Sequence, residues 1–568
     1  MCGIAGIWGS GGDIRRMTEV IAHRGPDDEG YLEEGNLRIG SRRLAVIDPE
    51  NARQPMTSPD GRVSVVFNGT IYNFRELRTE LDFPFRTDSD TEVVLAAYVA
   101  WGTDCFRKFN GMFSIAIRDG QRLVLARDRF GEKPLYWTRH DGRFLFSSEV
   151  KALLEEVPAV PRIQADFAAL ETAVGDRTLF EGIFNFPTAS YAVMEHSDDT
   201  LTPHRYWDLP PAPSPESPSR SRADLVDELR HLLRDAIELR MIADVPVGLF
   251  LSGGLDSAII AAIARPERVY SCHFAEGPGY EEIEHARTVA KAIGAEHIVV
   301  EPTWQDLRDH LPRIIRHLDF PVATPSPIAE NALARRARED VKVVLGGQGA
   351  DECFGGYVRY LFVNAEQDLA AQPELKSYGP MARHFWGENA FGDPADRYIH
   401  MLRRGAPLPP DLDAWVRSLF DRGGDLADRM GHVDLHFTLP SLLTMNDRAA
   451  AAEGLENRCP LLDHRIVEFA FSLPPGQKIQ GFRTKHILRE AVRDIVPDSI
   501  IDRRDKMGLI TPVNRWLRGP LAAWAQDLAQ SLESRGLHLD RKSERGEFDR
   551  NLYTRVCLEL WHREYIDS

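Results

Sequence analysis

The chain has 568 residues, 43% hydrophobic and 27% charged, which is more than one hydrophobic core holds and ordinary for a globular protein of two or three domains. Its formal net charge of -17 argues against nucleic acid as a partner, and no apolar run approaches the roughly 20 residues that span a bilayer, which argues against a membrane protein. The six cysteines, at positions 2, 105, 272, 353, 459 and 557, lack CxxC spacing, and there is no basic stretch followed by an apolar run at the start. Both features predict a reduced, cytoplasmic setting.

The first predicted element is a strand over 4–8, directly behind Met1-Cys2-Gly3. Removal of Met1 gives Cys2 a nucleophilic sulfur and a free α-amine of pKa roughly 7.7–8.0 that can take the thiol proton. Read alone, the segment is equally an apolar strand with glycine turns. Short alternating runs at 63–67, 113–117, 123–126 and 144–146, separated by Asp-Gly and Asn-Gly pairs, make the first half strand-rich. Three clusters within it carry chemistry. Arg42 and Arg43 stand at the mouth of an apolar strand, where a guanidinium fork suits a carboxylate. Asn68-Gly69 offers a side-chain amide and a backbone N–H for an oxyanion, or simply a turn. Thr87-Asp88-Ser89-Asp90-Thr91-Glu92 precedes a helix, so that one acid caps it and another faces an ammonium.

The Pro/Ser-rich stretch 209–222 reads as a linker. Beyond it, a helical pattern over 223–243 leads into a strand at 247–251, a Ser252-Gly253-Gly254-Leu255-Asp256-Ser257 turn and a helix over 258–264, the order a parallel α/β sheet requires. The turn lacks the Walker A lysine, yet its N–H groups, hydroxyls and helix start suit anionic oxygens; serine capping is the plainer account. A second buried strand, 342–345, ends in Gly346-Gly347-Gln348-Gly349-Ala350-Asp351-Glu352, either an acidic turn or a ligand loop for magnesium. From about residue 360 the pattern is mostly helical. Asp447-Arg448 and Glu453–Asp463 embed charges in apolar surroundings, which demands partners if they are buried, and Lys485 lies by a probable helix as a solvated charge or an anion stabiliser.

Taken together, Met1-Cys2-Gly3-Ile4, His23-Arg24-Gly25-Pro26-Asp27, Arg43–Asp48, Asn68–Asn73 and Ser89–Glu92 resemble class II glutamine amidotransferases. Ser252–Ser257 resembles the pyrophosphate loop of ATP pyrophosphatases. With the blocks at 346–357, 453–463 and 485–489, the resemblance extends over nearly the whole chain to the glutamine-hydrolysing asparagine synthetase family. It implies an N-terminal nucleophile αββα sandwich over 1–208 and, after the linker, an α/β parallel-sheet synthetase domain over 223–568 with a largely helical C-terminal part.

The implied chemistry is ammonia release from glutamine through a γ-glutamyl thioester, followed by amidation of aspartate through β-aspartyl-AMP, with ATP and Mg2+ required and a homodimer as the assembly. By resemblance Cys2 attacks, Arg43 holds the glutamine carboxylate, Asp90 its amine, and Asn68 with Gly69 the oxyanion. Leu251, Ser252, Gly253, Gly254, Asp256, Ser257, Gly346 and Gly347 bind ATP, Asp256 and Asp351 hold magnesium, Lys485 stabilises adenylation, and Glu456 with Arg458 organises the acyl-adenylate pocket. Three positions depart from the family pattern: Thr70 and Gln348 where relatives often have glutamate, and Phe320 where a polar residue is usual. The Gln348 and Phe320 departures leave another carboxylate acceptor as an alternative; a catalytically degenerate glutamine- or nucleotide-binding regulator is a separate one.

Overall fold

The structure is a computed structural model that describes residues 1–163, 165–195, 200–211, 220–277, 282–321, 324–370, 392–403, 406–504, 511–537 and 551–567. Two six-stranded sheets form the first half. One runs Ile183–Asn185, Tyr136–His140, Arg143–Ser147, Gly3–Trp8, Leu37–Arg43, Asp28–Glu34. The other runs His204–Arg205, Ser190–Glu195, Arg122–Arg127, Gly111–Asp119, Val63–Ile71, Met56–Thr57. All their pairings are antiparallel.

Strand alternation explains the layering. Ile4 and Trp8 meet Val66, Ala116, Leu125 and Phe146 between the sheets, whereas Ala5 and Ile7 face outward onto Met17 and Leu153 of the helices Ile14–Glu19 and Val150–Leu154. On the far side, Val65, Phe67 and Ile115 pack under Val93, Val94 and Ala97 of the helix Asp90–Trp101. The result is the expected αββα sandwich. Asp141 and Gly142, both at positive φ (49° and 71°), make the two-residue turn between Tyr136–His140 and Arg143–Ser147, as an Asp-Gly pair predicts. Residues 212–219 of the predicted linker lie outside the described residues.

The second half is built on a parallel sheet in the order Glu296–Val300, Arg268–Cys272, Val247–Phe250, Val343–Leu345, Glu456–Arg458. Chain order runs outward one way from Val247–Phe250 and the other way from Val343–Leu345. The carboxyl ends of these neighbouring strands therefore flank a crevice of the kind in which open α/β sheets bind ligands. Helices Arg222–Arg240 and Leu255–Ala264 cover one face, and Ser326–Ala337 covers the other through Leu333, Ala334 and Ala337. Among the described residues from Val358 onward the regular elements are helices, apart from the strand Glu456–Arg458. No helix among the described residues is long and apolar enough to cross a membrane.

Charged groups join the two halves. Arg24 pairs with Glu149 and Asp447, Arg448 with Glu149 and Asp319, and Lys151 with Asp319, all of them buried. The charges around Asp447-Arg448 thus find the partners that burial demands.

Candidate active sites in the two halves

Cys2 opens the inner edge of the Gly3–Trp8 strand, with its Sγ 3.8 Å from the carbonyl oxygen of Leu44. Burial pushes its thiol up, an effect opposed by the neighbouring amino terminus. Met1 is fully buried, and its amine donates to the carbonyl oxygen of Leu455 at 3.2 Å. Burial lowers that amine to about 5. Arg24 Nε donates to the Cys2 carbonyl oxygen at 2.9 Å, so the buried ion network also fixes the backbone of the nucleophile.

Arg42 and Arg43 do not form a fork. They end the strand Leu37–Arg43 rather than begin one, and strand alternation sends them to opposite faces. Arg42 bonds Thr18 and Glu19. Arg43 is held by the carbonyl oxygens of Pro49 (2.8 Å), Asp48 (2.8 Å) and Ile47 (3.5 Å). Three of its five N–H donors are used in this way, leaving Nε–H and one hydrogen of Nη1 for a ligand. A surface cavity lined by Asp48, Pro49, Arg75, Arg78, Asp88 and Asp244 opens over the same loop.

Asn68-Gly69 is not a turn, for both residues lie inside the strand Val63–Ile71. Gly69 has φ +150°, and a Cβ there would sit 2.0 Å from the Met112 carbonyl oxygen, so the position admits only glycine. N–H groups of alternate strand residues share an edge. That of Phe67 is taken by Gln54 Oε1 at 2.7 Å and that of Ile71 by Asp90 Oδ2 at 3.0 Å, which places the Gly69 N–H between them. The Phe113 opposite Gly69 spends both its N–H and its carbonyl on Asp128. Asn68 Nδ2 donates to Ser114 Oγ at 3.3 Å, and its Oδ1 is buried without a partner. A half-turn of this amide lets Ser114 donate to Oδ1 and frees Nδ2 as a donor.

Neither Asp88 nor Asp90 caps the helix Asp90–Trp101. Ser89 does, accepting from Glu92 N at 3.2 Å, and Glu92 turns back to Arg86 and Thr87. Asp90 is thereby left for the strand edge. Burial raises its carboxyl to about 7, with the Glu456 charge contributing. Thr70, on the same strand face as Asn68, donates to Glu456 Oε1 at 2.9 Å. Glu456 therefore faces the amidotransferase half, where its other electrostatic neighbours are Arg458, Lys133 and the amino terminus.

The second group assembles at the crevice of the parallel sheet. Gly253 has φ +78°, and a Cβ there would meet Ala286 N at 2.8 Å. Ser252 and Ser257 tie the loop across itself, Oγ to Oγ at 3.1 Å. Asp256, in the first turn of Leu255–Ala264, receives Lys485 Nζ on both oxygens at 2.6 Å, and Lys485 also meets Asp351 at 2.6 Å. Gly347 stands against Asp256. At Gly356 a Cβ would fall 1.9 Å from Asp351 and 2.2 Å from Lys485, a requirement that motif reading missed. Two carboxylates from the first turns of separate helices, Leu255–Ala264 and Ala350–Phe354, thus converge on one cation. They fit Mg2+, which typically takes one or two carboxylates and completes its shell with phosphate oxygens and water; no group of three or more His, Cys, Asp or Glu side chains suited to a metal occurs among the described residues.

Gln348 lies beside this crevice. It donates to Asn446 Oδ1 at 2.9 Å, which Asn457 also reaches at 3.2 Å, while the Cys459 thiol lies 3.8 Å from Gln348 Oε1. Phe320 lines a cavity of about 320 Å³ with Tyr357, Arg359, Met401, Phe437 and Met445. Sequence reading missed Arg24 as the support of Cys2 and Asn446 as the partner of Gln348. Arg24 lay in a quoted motif without a role, and Asn446 carries no local signal.

Comparisons with known proteins match both parts of the chain. The family model described as Asparagine synthase matches residues 228–564, and that of the Glutamine amidotransferase domain matches residues 1–207. The chain is 31% identical to asparagine synthetase [glutamine-hydrolyzing] 1 of Bacillus subtilis over 98% of its length and 94% of the relative's. It is 34% identical, at the same coverage of both, to a putative asparagine synthetase [glutamine-hydrolyzing] of Mycobacterium tuberculosis, and 25% identical to an amidase of Gibberella zeae over 90% of this chain and 86% of the relative. The chain belongs to the asparagine synthase family, as a glutamine-dependent amidotransferase and ligase.

Proposed function

We propose that this ligase hydrolyses glutamine to glutamate and ammonia at Cys2 and uses the ammonia to convert aspartate to asparagine through β-aspartyl-AMP, ATP yielding AMP and pyrophosphate. The observation that carries the reading is Lys485 Nζ set between Asp256 and Asp351 at the Ser252–Ser257 loop, in one chain with the Cys2 site. Carboxylate oxygen leaves poorly and AMP leaves readily, which is why the acceptor must be activated before ammonia attacks.

In this reading Met1 is removed and the freed α-amine of Cys2 takes the thiol proton. Sγ attacks the glutamine side-chain carbonyl, Asn68 Nδ2 and Gly69 N–H hold the oxyanion, and the proton passes to the departing ammonia. Water then releases glutamate from the thioester. Arg43 binds the glutamine carboxylate through its remaining donors, and Asp90 binds the α-ammonium. In the other half, Leu251, Ser252, Gly253, Gly254 and Ser257 with Gly346 and Gly347 cradle ATP. Asp256 and Asp351 would hold Mg2+, which would neutralise phosphate charge, and Lys485 stabilises the negative charge that builds on phosphorus during adenylation.

A second acceptor reading has its own support. A carboxamide network holds Gln348 where relatives often have glutamate, and a cavity of mixed polarity, lined by Arg359 and Thr438 as well as Met401 and Phe437, lies beside Phe320; this favours a bulkier carboxylate. The test is product analysis with 15N-amide glutamine, ATP and Mg2+. Labelled asparagine, AMP and pyrophosphate are expected with aspartate. Turnover of ATP and glutamine by the enzyme with another carboxylate, and none with aspartate, would overturn the aspartate reading.

A further inference from the structure

Thr70 removes a carboxylate from the place where the family pattern leads one to expect a second anionic partner for the glutamine amine. The structure brings one back from the other half of the chain. Glu456, 3% exposed, accepts from Thr70 Oγ1 at 2.9 Å and from Arg458 Nε at 2.8 Å. Both bonds use Oε1, and no hydrogen bond of Oε2 occurs among the described residues. Asp90 likewise uses Oδ2 for Ile71 N. Glu456 is an electrostatic neighbour of Asp90, of Cys2 and of the amino terminus. Asp90 and Glu456 are buried carboxylates that raise each other's cost of ionisation, which an added cation relieves, and a primary ammonium supplies three donors.

We propose that Glu456 of the synthetase half is the second anionic partner of the glutamine α-ammonium, acting with Asp90 in place of the side chain that Thr70 lacks. The glutamine pocket is then finished by the domain that consumes the ammonia. This rests on the amidotransferase reading of Cys2. It gives Glu456 a role at glutamine rather than at the acyl adenylate.

The experiment measures glutamate release from glutamine and, in parallel, glutarate release from 4-carbamoylbutanoate, which is glutamine without its α-amine. Glu456→Gln is expected to raise the glutamine KM roughly tenfold with kcat within about threefold and to leave the KM for 4-carbamoylbutanoate unmoved. Adding Thr70→Glu to Glu456→Gln is expected to restore the glutamine KM. An equal rise for both substrates, an unmoved glutamine KM, or absence of rescue overturns the proposal and leaves Glu456 as a structural partner of Arg458. Should Glu456→Gln fail to fold, Glu456→Asp keeps a charge for Arg458 and is expected to raise the KM for glutamine alone by roughly threefold; parallel rises for both substrates overturn the proposal. If the unaltered enzyme releases no glutamate from glutamine, the amidotransferase reading itself fails and takes this inference with it.

Discussion

Arg24 Nε donates a hydrogen bond to the carbonyl oxygen of Cys2 at 2.9 Å, while its two terminal nitrogens reach Glu149 and Asp447. One guanidinium thus spans the nucleophile, the first half and a helix of the second. A lysine in its place keeps the charge but is a single point that cannot serve three acceptors in a plane. Arg24→Lys is expected to lower the glutaminase kcat roughly 10- to 100-fold through misplacement of Cys2, with ammonium-driven synthesis within about threefold. Arg24→Leu takes one of the counter-charges from each of two buried carboxylates, with Arg448 still facing Glu149 and Lys133 still facing Asp447, and is expected to destabilise the chain by about 1–3 kcal/mol, read by chemical denaturation.

The Asp90 carboxyl, raised to about 7 chiefly by burial, must be ionised to hold an ammonium. The kcat/KM for glutamine is therefore expected to rise about tenfold per pH unit below about 7 and to level off above it. The stability effect has the opposite sign. Between about pH 4 and about pH 7 the folded chain keeps a proton that the unfolded chain has released, so this group's contribution to stability falls as pH rises. Asp90→Asn is expected to weaken glutamine binding, to abolish that rise in its pH profile and, at pH 8, to raise the unfolding temperature.

The layers of the fold were legible where one face of a strand is apolar and the other packs under a helix, as at residues 4–8, 63–67 and 113–117. They were equally legible where Asp141-Gly142 requires positive φ. Asn68-Gly69 misled as a turn signal because the pair is shaped by what its N–H must face rather than by chain reversal. The strand Glu456–Arg458 was missed: three residues, all charged or polar, pair beside Val343–Leu345 only because Arg458 and Glu456 neutralise each other and Thr70 supplies a donor. Motif spacing pointed to both groups of site residues. It had no means of showing that Glu456 belongs with the first, because that depends on contact across 386 positions.

Lys485 is the counter-charge that lets Asp256 and Asp351 approach one position. Lys485→Met is expected to lower acceptor-dependent pyrophosphate release roughly 100- to 1,000-fold, a loss of the size seen when one preorganised charge is removed from a transition state, while glutamate release at Cys2 stays within about threefold. Asp351→Asn is expected to raise the Mg2+ concentration needed for half-maximal pyrophosphate release roughly tenfold. Equal loss of both activities in Lys485→Met would mean that the lysine supports the fold rather than the chemistry.

Gln348 is held as a donor. Its Nε2 gives a hydrogen bond to Asn446 Oδ1, which already accepts from Asn457, and Asn446 Nδ2 is committed to the Leu442 carbonyl. A glutamate at 348 would set a carboxylate against that oxygen, and rotating the Asn446 amide to meet it would strand the Leu442 bond and turn two Nδ2 groups toward each other. Gln348→Glu is therefore expected to destabilise the chain by about 1–3 kcal/mol, read by chemical denaturation, and to lower the rate of amide formation with the native acceptor while glutamate release continues. Unchanged stability with faster formation of asparagine would show that the carboxamide network is dispensable and that position 348 alone tunes the acyl-transfer step.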